Sequence, residues 1–407
     1  MPGVKSCCQR ADSIPMDTIA ACRRTGATGY SEADSSAAAG CAAVRAALDG
    51  RAAHADDLVI VFSDARYDSE ELYRAAASVA APAQVVGCTS TSSFTDERLV
   101  ADGCVAALLP GDGVSFGVCH LPRVDFEIAR TAQMAAQTAR DRAGVSRGYE
   151  ALLVLSDGLT PDQREIARGV YAVTTATIPF VGGAAADNLT WSQTETFGEG
   201  RVFGNGILAV WINSERPVGV SVEHGWRPCG RPMLVTRAEG TIVNELDGVP
   251  ALEAYLAARG GDLRADDPEF FRKVHDGPLG LPNARGRYDV RQLHAYLPEG
   301  GGLNFNVGIS EHSILRLMTS DADSLVAGAR NATRAAIAGL DEPARVALVF
   351  SCGSRIPSLG GRAHEEPEAI SAELGGVPMC GFYTYGEFSR TAGSSGIHNS
   401  SVAVLAL

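Results

Sequence analysis

Tyr383, Tyr385 and Glu387 alternate in the stretch GFYTYGEFSR, close to the C-terminal end of the chain. At that spacing two phenols and a carboxylate share one face of a strand. Such a face can hydrogen-bond an amine or amide while its rings cover an apolar body; it can also lock a sheet edge. Arg355, in SCGSR, follows an apolar run and suits a carboxylate, either a ligand's or that of Glu387. Cys352 lies in the same segment, with His398 and Glu387 near in sequence. A Cys-His-Glu arrangement would activate a thiolate, whereas a buried cysteine is ordinarily an inert packing residue. In GGAAADN, Gly182 and Gly183 would let a ligand or another backbone approach closely, and Asp187 and Asn188 end the stretch; a plain turn also explains them. Of the eight histidines, His224, between Glu223 and Gly225 and next to Trp226, is the first choice as a haem ligand, and His398 the second. His54, His120, His275, His294 and His364 read as surface or linker positions. Without a C-x-x-C-H motif haem would not be covalently attached. NAD, ATP and zinc find no support, because the chain lacks a strand-linked G-x-G-x-x-G, a P-loop and paired zinc-type cysteines.

The elements that must position these residues occur as a unit that appears three times, over residues 57–109, 150–212 and 345–407. Each opens with an apolar run ending in a small polar pair: Ser63-Asp64, Ser156-Asp157 and Ser351-Cys352. A segment with helical periodicity follows, then a second apolar run ending at Gly87, Gly182 or Gly381, then a polar loop and a third strand. The pattern predicts α/β architecture with repeated βαβ-type units in mixed sheets, one topology for all three units, and ligand contacts at the carboxyl ends of the strands. Between the second and third units lies a segment of different character, rich in alternating strands, and GWRPCGRP marks a boundary near its start.

The chain has 407 residues, 45% apolar and 20% charged, with a net charge of −13. That length suits two to three domains. An acidic chain without a basic block is a poor match for nucleic acid or an anionic membrane. The N-terminus lacks the apolar core of a secretory signal, and no stretch approaches a membrane span, so a cytoplasmic protein without membrane insertion is expected. Ten cysteines with no framework spacing read as mostly reduced thiols. Cys7, Cys8 and Cys22 lie in a segment, 1–26, that reads as a flexible tail; the adjacent pair Cys7-Cys8 could capture a soft metal or react with oxidants.

The order and spacing of LVFSCGSR, GFYTYGEFSR and HNSSVAVLAL, with VVGCTSTSSF, PFVGGAAADN and VTRAEGTIVNELDGVPALEAY before them, resemble the FIST family of sensory domains. The resemblance implies a two-part fold, with an N-terminal domain over 27–228 and a C-terminal domain over 229–407. It implies a small ligand, either an amino-acid-like molecule or haem responding to nitric oxide. It also implies a signalling partner such as a histidine kinase or cyclase, reached in trans because no output domain is recognisable here. On this reading Cys352, Arg355, Tyr383, Tyr385, Glu387, Gly183, Asp187 and His398 contact the ligand, and His224 a metal. The alternatives are a thiol-dependent enzyme using Cys352 with His398 and Glu387, and a ligand-free adaptor.

Overall fold

The computed structural model describes residues 24–123, 126–261, 263–267, 269–284, 286–390 and 396–407. Cys7, Cys8 and Cys22 lie outside them. The first unit runs β1 (Ala27–Ser31), α1 (Ser36–Leu48), β2 (Leu58–Asp64), α2 (Ser69–Ala80), β3 (Gln84–Ser90), a hairpin β4 (Ser93–Thr95) and β5 (Leu99–Val100), and β6 (Cys104–Leu109). The second repeats it as β7 (Val114–Pro122), α3 (Ile128–Ala143), β8 (Tyr149–Ser156), α4 (Gln163–Thr174), β9 (Phe180–Ala184), hairpin β10 (Thr196–Gly198) and β11 (Arg201–Phe203), and β12 (Gly206–Ser214). The third opens with β13 (Gly219–Glu223). An insertion then follows, with β14 (Arg227–Glu239), β15 (Ile242–Leu246), β16 (Val249–Pro250), α5 (Ala251–Arg259), α6 (Phe270–Val274), β17 (Leu279–Pro282), β18 (Tyr288–Arg291), β19 (Leu293–Tyr296), β20 (Leu303–Phe305) and β21 (Ile314–Thr319). The unit resumes as α7 (Ala322–Ile337), β22 (Ala347–Cys352), α8 (Arg355–Leu359), α9 (Glu365–Leu374), β23 (Met379–Thr384), hairpin β24 (Glu387–Arg390) and β25 (Gly396–His398), and β26 (Val402–Ala406).

Each unit's four long strands form most of a mixed six-stranded sheet, and its hairpin leaves to complete another unit's sheet. The orders are β1-β6-β2-β3-β10-β11, β7-β12-β8-β9-β24-β25 and β13-β26-β22-β23-β4-β5. The first unit's hairpin therefore joins the third sheet, the third unit's the second, and the second unit's the first, closing a ring. The shared topology expected from sequence is present: β2 and β3, β8 and β9, and β22 and β23 are parallel pairs, each with an antiparallel third strand beside the first.

The period of a strand explains the layering. Ile60 and Phe62, Leu153 and Leu155, and Leu348 and Phe350 point into one core shared by all three sheets. Their neighbours Val59 and Val61, Leu152 and Val154, and Ala347 and Val349 face the helices outside. Close helix approach is built in: a Cβ on Gly29, Gly117 or Gly219 would collide with the carbonyl of Ala43, Ala139 or Ala336 in the covering helix. Side chains start the helices, Asp68 accepting from Glu71 N before α2 and Asp321 forming a capping box with Ser324 before α7.

Two sequence expectations change here. Gly87, Gly182 and Gly381 do not end their strands; each lies inside one, opposite a phenylalanine of the arriving hairpin (Phe197, Phe388 and Phe94). At Gly87 and Gly381 the ring occupies the place a Cβ would need. His120, read as a surface or linker position, is buried, with Nδ1 at Gly198 O (3.2 Å) and Nε2 at Thr196 Oγ1 (2.9 Å); burial pushes its pKa down to about 4. The insertion forms an eight-stranded antiparallel sheet with its own core of Met233, Val235, Tyr255, Phe270 and Leu315.

Candidate functional site

The hairpin exchange is fixed by three equivalent hydrogen bonds: Thr91 N to Tyr383 O (3.3 Å), Tyr385 N to Ala184 O (3.1 Å) and Ala186 N to Thr89 O (3.0 Å). The return bonds locate a departure from the repeat. Tyr383 N reaches Ser92 O and Ala184 N reaches Gly386 O, each acceptor directly following the donor of the first bond. In the second unit Thr89 N reaches Glu195 O instead, so residues 187–194 are extra. The third unit departs too, since its first strand and first helix are separated by the insertion over 227–319, where the other units have a short turn.

Both departures meet at one cavity of about 470 Å³. The extra loop supplies Leu189 and Trp191, the insertion supplies His275, Gln292, Leu293, His294 and Asn306, and the strand exits of the third unit supply Cys352, Ser354, Pro357, Thr384, Tyr385 and Asn399. Trp191 stacks on Tyr385 with centroids 3.8 Å apart and planes 9° from parallel, and His294 meets Trp191 edge-on at 4.4 Å. The Nδ1 of His294 and the Oδ1 atoms of Asn306 and Asn399 have no hydrogen-bond partner among the described residues. Burial lowers the pKa of His294, so its ring is neutral at pH 7. No Lys, Arg, Asp or Glu among the described residues lines the cavity.

The loop is held in a costly backbone shape. Asn188, Leu189 and Trp191 all have positive φ (58°, 61° and 54°), a region that disfavours side chains by about 1–2 kcal/mol per residue. Asp187 holds it there: its carboxylate accepts from Trp191 N (2.9 Å), Ser192 N (2.6 Å), Gln193 N (2.8 Å) and Thr190 Oγ1 (2.8 Å), and from the hydroxyl of Tyr385. Burial works against the charge, but these donors hold the carboxyl below its ordinary range. Asp187 thus shapes the cavity wall without lining it.

The structure separates the residues singled out from sequence. Cys352 and Tyr385 line the cavity. Tyr383, Tyr385 and Glu387 do not share a face, because β23 ends at Thr384 and the chain crosses to another sheet, where Glu387 pairs with Gly183. Tyr383 packs edge-on to Phe94 under the helices (5.5 Å). Glu387 is fully buried beneath the cavity floor, accepting from Thr384 Oγ1 (2.7 Å) and Ser401 Oγ (2.8 Å); burial pushes its pKa up to about 7 against those bonds. Gly183 lies in the interior against Thr384, Phe382 and Phe350. Arg355 is fully buried in an ion pair with Glu366 (Nε to Oε2 2.8 Å) and donates to His224 O (2.8 Å) and Leu325 O (2.9 Å). It pairs with neither Glu387 nor the cavity.

Cys352 Sγ accepts from Ser354 Oγ (3.1 Å), and burial, aided by nearby Glu387, pushes its thiol well above the ordinary range. His398 Nε2 lies 2.9 Å from Ser389 O, with no bond to Cys352. His224 has both ring nitrogens engaged: Nδ1 accepts from Trp226 N (2.8 Å) and Nε2 donates to Tyr288 O (3.1 Å). Burial lowers its pKa to about 4. His224 and His398 adjoin a cleft of about 40 Å³. No cluster of three or more His, Cys, Asp or Glu suited to a metal occurs among the described residues.

Sequence reasoning missed Trp191, Asn306 and Asn399 as site residues and read His275 and His294 as surface or linker positions, whereas both line the cavity. Trp191 carried a signal, a tryptophan in a polar stretch in a chain with three. His294 and Asn306 carried none, since only the fold of the insertion brings them to the cavity.

Comparisons with known proteins agree with this architecture. The FIST N domain matches residues 57–249 and the FIST C domain residues 251–390. An uncharacterized protein of Mycobacterium tuberculosis is 28% identical over 224 residues, covering 54% of this chain and 58% of that protein. One of Mycobacterium bovis is 29% identical over 224 residues, covering 54% and 57%. The matched region thus spans little more than half the length of these relatives. The crystal structure of a cyanuric acid hydrolase from A. caulinodans overlaps at a TM-score of 0.35 and 9% identity, covering 94% of this chain and 98% of that one, an overlap too loose to argue from. Among the described residues no helix is long and apolar enough to cross a membrane. FIST domains are generally small-ligand sensory domains of signalling proteins, and with both domains matched along the repeat, the chain belongs to the FIST family.

Proposed function

We propose that this chain is a cytoplasmic small-ligand sensor and that the cavity beside Trp191 and Tyr385 is its sensing site. The observation that carries this reading is the convergence of the two departures from the threefold repeat on one cavity, walled by a strained loop. Strain held in place by surrounding bonds is characteristic of ligand clamps and switches. The loop over 187–194 has a second side: Asn188, Thr190, Ser192 and Gln193 line a polar groove of about 520 Å³ with Arg66, Tyr67 and Ser69 of the first unit. A ligand that shifts Leu189 and Trp191 reshapes that groove, which offers a route to a partner such as a kinase or cyclase in trans.

The residues present fit neither haem nor an amino acid well. A porphyrin cannot enter the cleft beside His224 and His398, and His224 would have to give up both of its hydrogen bonds. Among the described residues no arginine or lysine lines the cavity beside Trp191 to receive propionates or an amino acid's carboxylate. The thiol-enzyme reading lacks its base, since His398 bonds elsewhere and the Cys352 thiol is held protonated.

Thermal melts of the full chain against a library of small metabolites test the reading. Compounds that raise the melting temperature of the wild type are expected to lose that effect in Trp191→Ala. Stabilisation by the same compounds in both proteins would place the site elsewhere.

A further inference from the structure

The cavity wall also specifies a chemical class. Its titratable lining groups are the imidazoles His275 and His294, the thiol of Cys352 and the phenol of Tyr385, whose hydroxyl is given to Asp187, and no Lys, Arg, Asp or Glu stands among the described lining residues. Moving an unpaired charge into such a site is strongly unfavourable, and even a neutral polar group left unbonded there is penalised. The wall therefore selects against carboxylates, phosphates and zwitterions.

What the wall asks for is a donor. The amide of Asn306 is oriented by its Nδ2, which donates to Tyr385 O at 3.0 Å, and this leaves Oδ1 as an acceptor without a partner. Asn399, only 1% exposed, likewise has an unpartnered Oδ1. His294 adds an unpartnered Nδ1. Buried amide oxygens such as those of Asn306 and Asn399 are stabilised by a ligand N–H and penalise a ligand that lacks one. The shape comes from the aromatic wall: Trp191 stacks on Tyr385 and His294 meets Trp191 edge-on, so the ring surface left open to the cavity suits a flat ligand. The volume, about 470 Å³, is within the range of ordinary small-molecule pockets.

We propose that the cavity takes an uncharged, flat heterocycle carrying at least one ring N–H, the ring lying along the Trp191–Tyr385 wall and the N–H meeting Asn306 or Asn399. This rests on the cavity being the sensing site, and the two ideas fail differently.

Calorimetric titration of the full chain with indole, 1-methylindole and indole-3-carboxylate tests it. The first is flat, neutral and a donor; the second lacks the donor and the third adds a charge. Indole is expected to bind, with the other two weaker by about tenfold or more, and Trp191→Ala is expected to weaken indole by a similar factor. Asn399→Leu is expected to narrow the gap between indole and 1-methylindole; if that variant does not fold, Trp191→Ala, at a residue 37% exposed, still reports on the site. No heat from indole at millimolar concentration overturns the class. Equal binding of 1-methylindole overturns the donor requirement. Equal or tighter binding of the carboxylate, lost in Trp191→Ala, overturns the uncharged class and leaves the sensing site standing. Indole binding undiminished in Trp191→Ala overturns both.

Discussion

Glu387 shows how far a residue's environment can depart from its sequence context. Read as a strand-face carboxylate awaiting a ligand, it is instead a fully buried group whose pKa is raised to about 7, chiefly by burial. The folded chain therefore retains a proton that the unfolded chain releases between the ordinary glutamate range and about 7. Stability falls as pH rises across that window and levels off above it. Glu387→Gln keeps a carbonyl for Ser401 and an amide for Thr384, so it is expected to flatten this slope and to stabilise the protein at pH 8 by about 1–3 kcal/mol. Denaturant melts at pH 5 and pH 8 check this, and a destabilised variant at pH 8 would contradict it. Cys352 is expected to react with iodoacetamide more slowly than Cys41 and Cys229, which are only partly buried, because its thiol is enclosed and protonated. Peptide mapping of a labelling time course reads that order, and fast labelling of Cys352 would revive the thiol-enzyme reading. Two of the residues chosen from sequence, Cys352 and Tyr385, line the cavity. Most of the others lie behind it, because alternation puts residues on one face only while the strand continues, and this strand stops at Thr384.

At the scale of elements, the repeat was legible because each apolar run and each following helical period is local. The hairpin exchange was not legible, since a strand of three or four residues carries no mark of which sheet it joins. Its register is visible in retrospect in the pairing of Phe94 with Gly381, Phe197 with Gly87 and Phe388 with Gly182. Phe94→Ala or Phe197→Ala is expected to cost about 3–5 kcal/mol, and Gly381→Val to prevent the hairpin from seating. Chemical denaturation reads both, and a cost under about 1 kcal/mol for either alanine would show that the rings do not pin the exchange. The loop over 187–194 follows the same reasoning. Without the Asp187 carboxylate its positive-φ residues lose the bonds that hold them, so Asp187→Ala is expected to abolish cavity binding while leaving most of the cooperative melt intact.

For the whole molecule, the ring of exchanged hairpins means that no unit is complete alone. Cutting near residue 226 would leave the second sheet without β24 and β25, and the β4–β5 hairpin without β23. Exposed edges and an opened shared core cannot be offset within either fragment. The full chain's three sheets are accordingly expected to melt in one transition, and residues 24–226 expressed alone to give no cooperative melt. A folded, monomeric fragment would contradict the interlocked architecture. The same ring places the departures from the repeat on one side of the third unit's strand exits, which is why a single cavity draws on the extra loop, the insertion and the repeat together.

The claim that this cavity is the sensing site is tested most directly by soaking crystals of the full chain with a library of small neutral and charged fragments. Fragments are expected to collect against Trp191, Tyr385 and His294, with shifts in the loop over 187–194. An empty cavity, with fragments gathered instead in the groove beside Arg66 and Ser69 or the cleft beside His224, would contradict it.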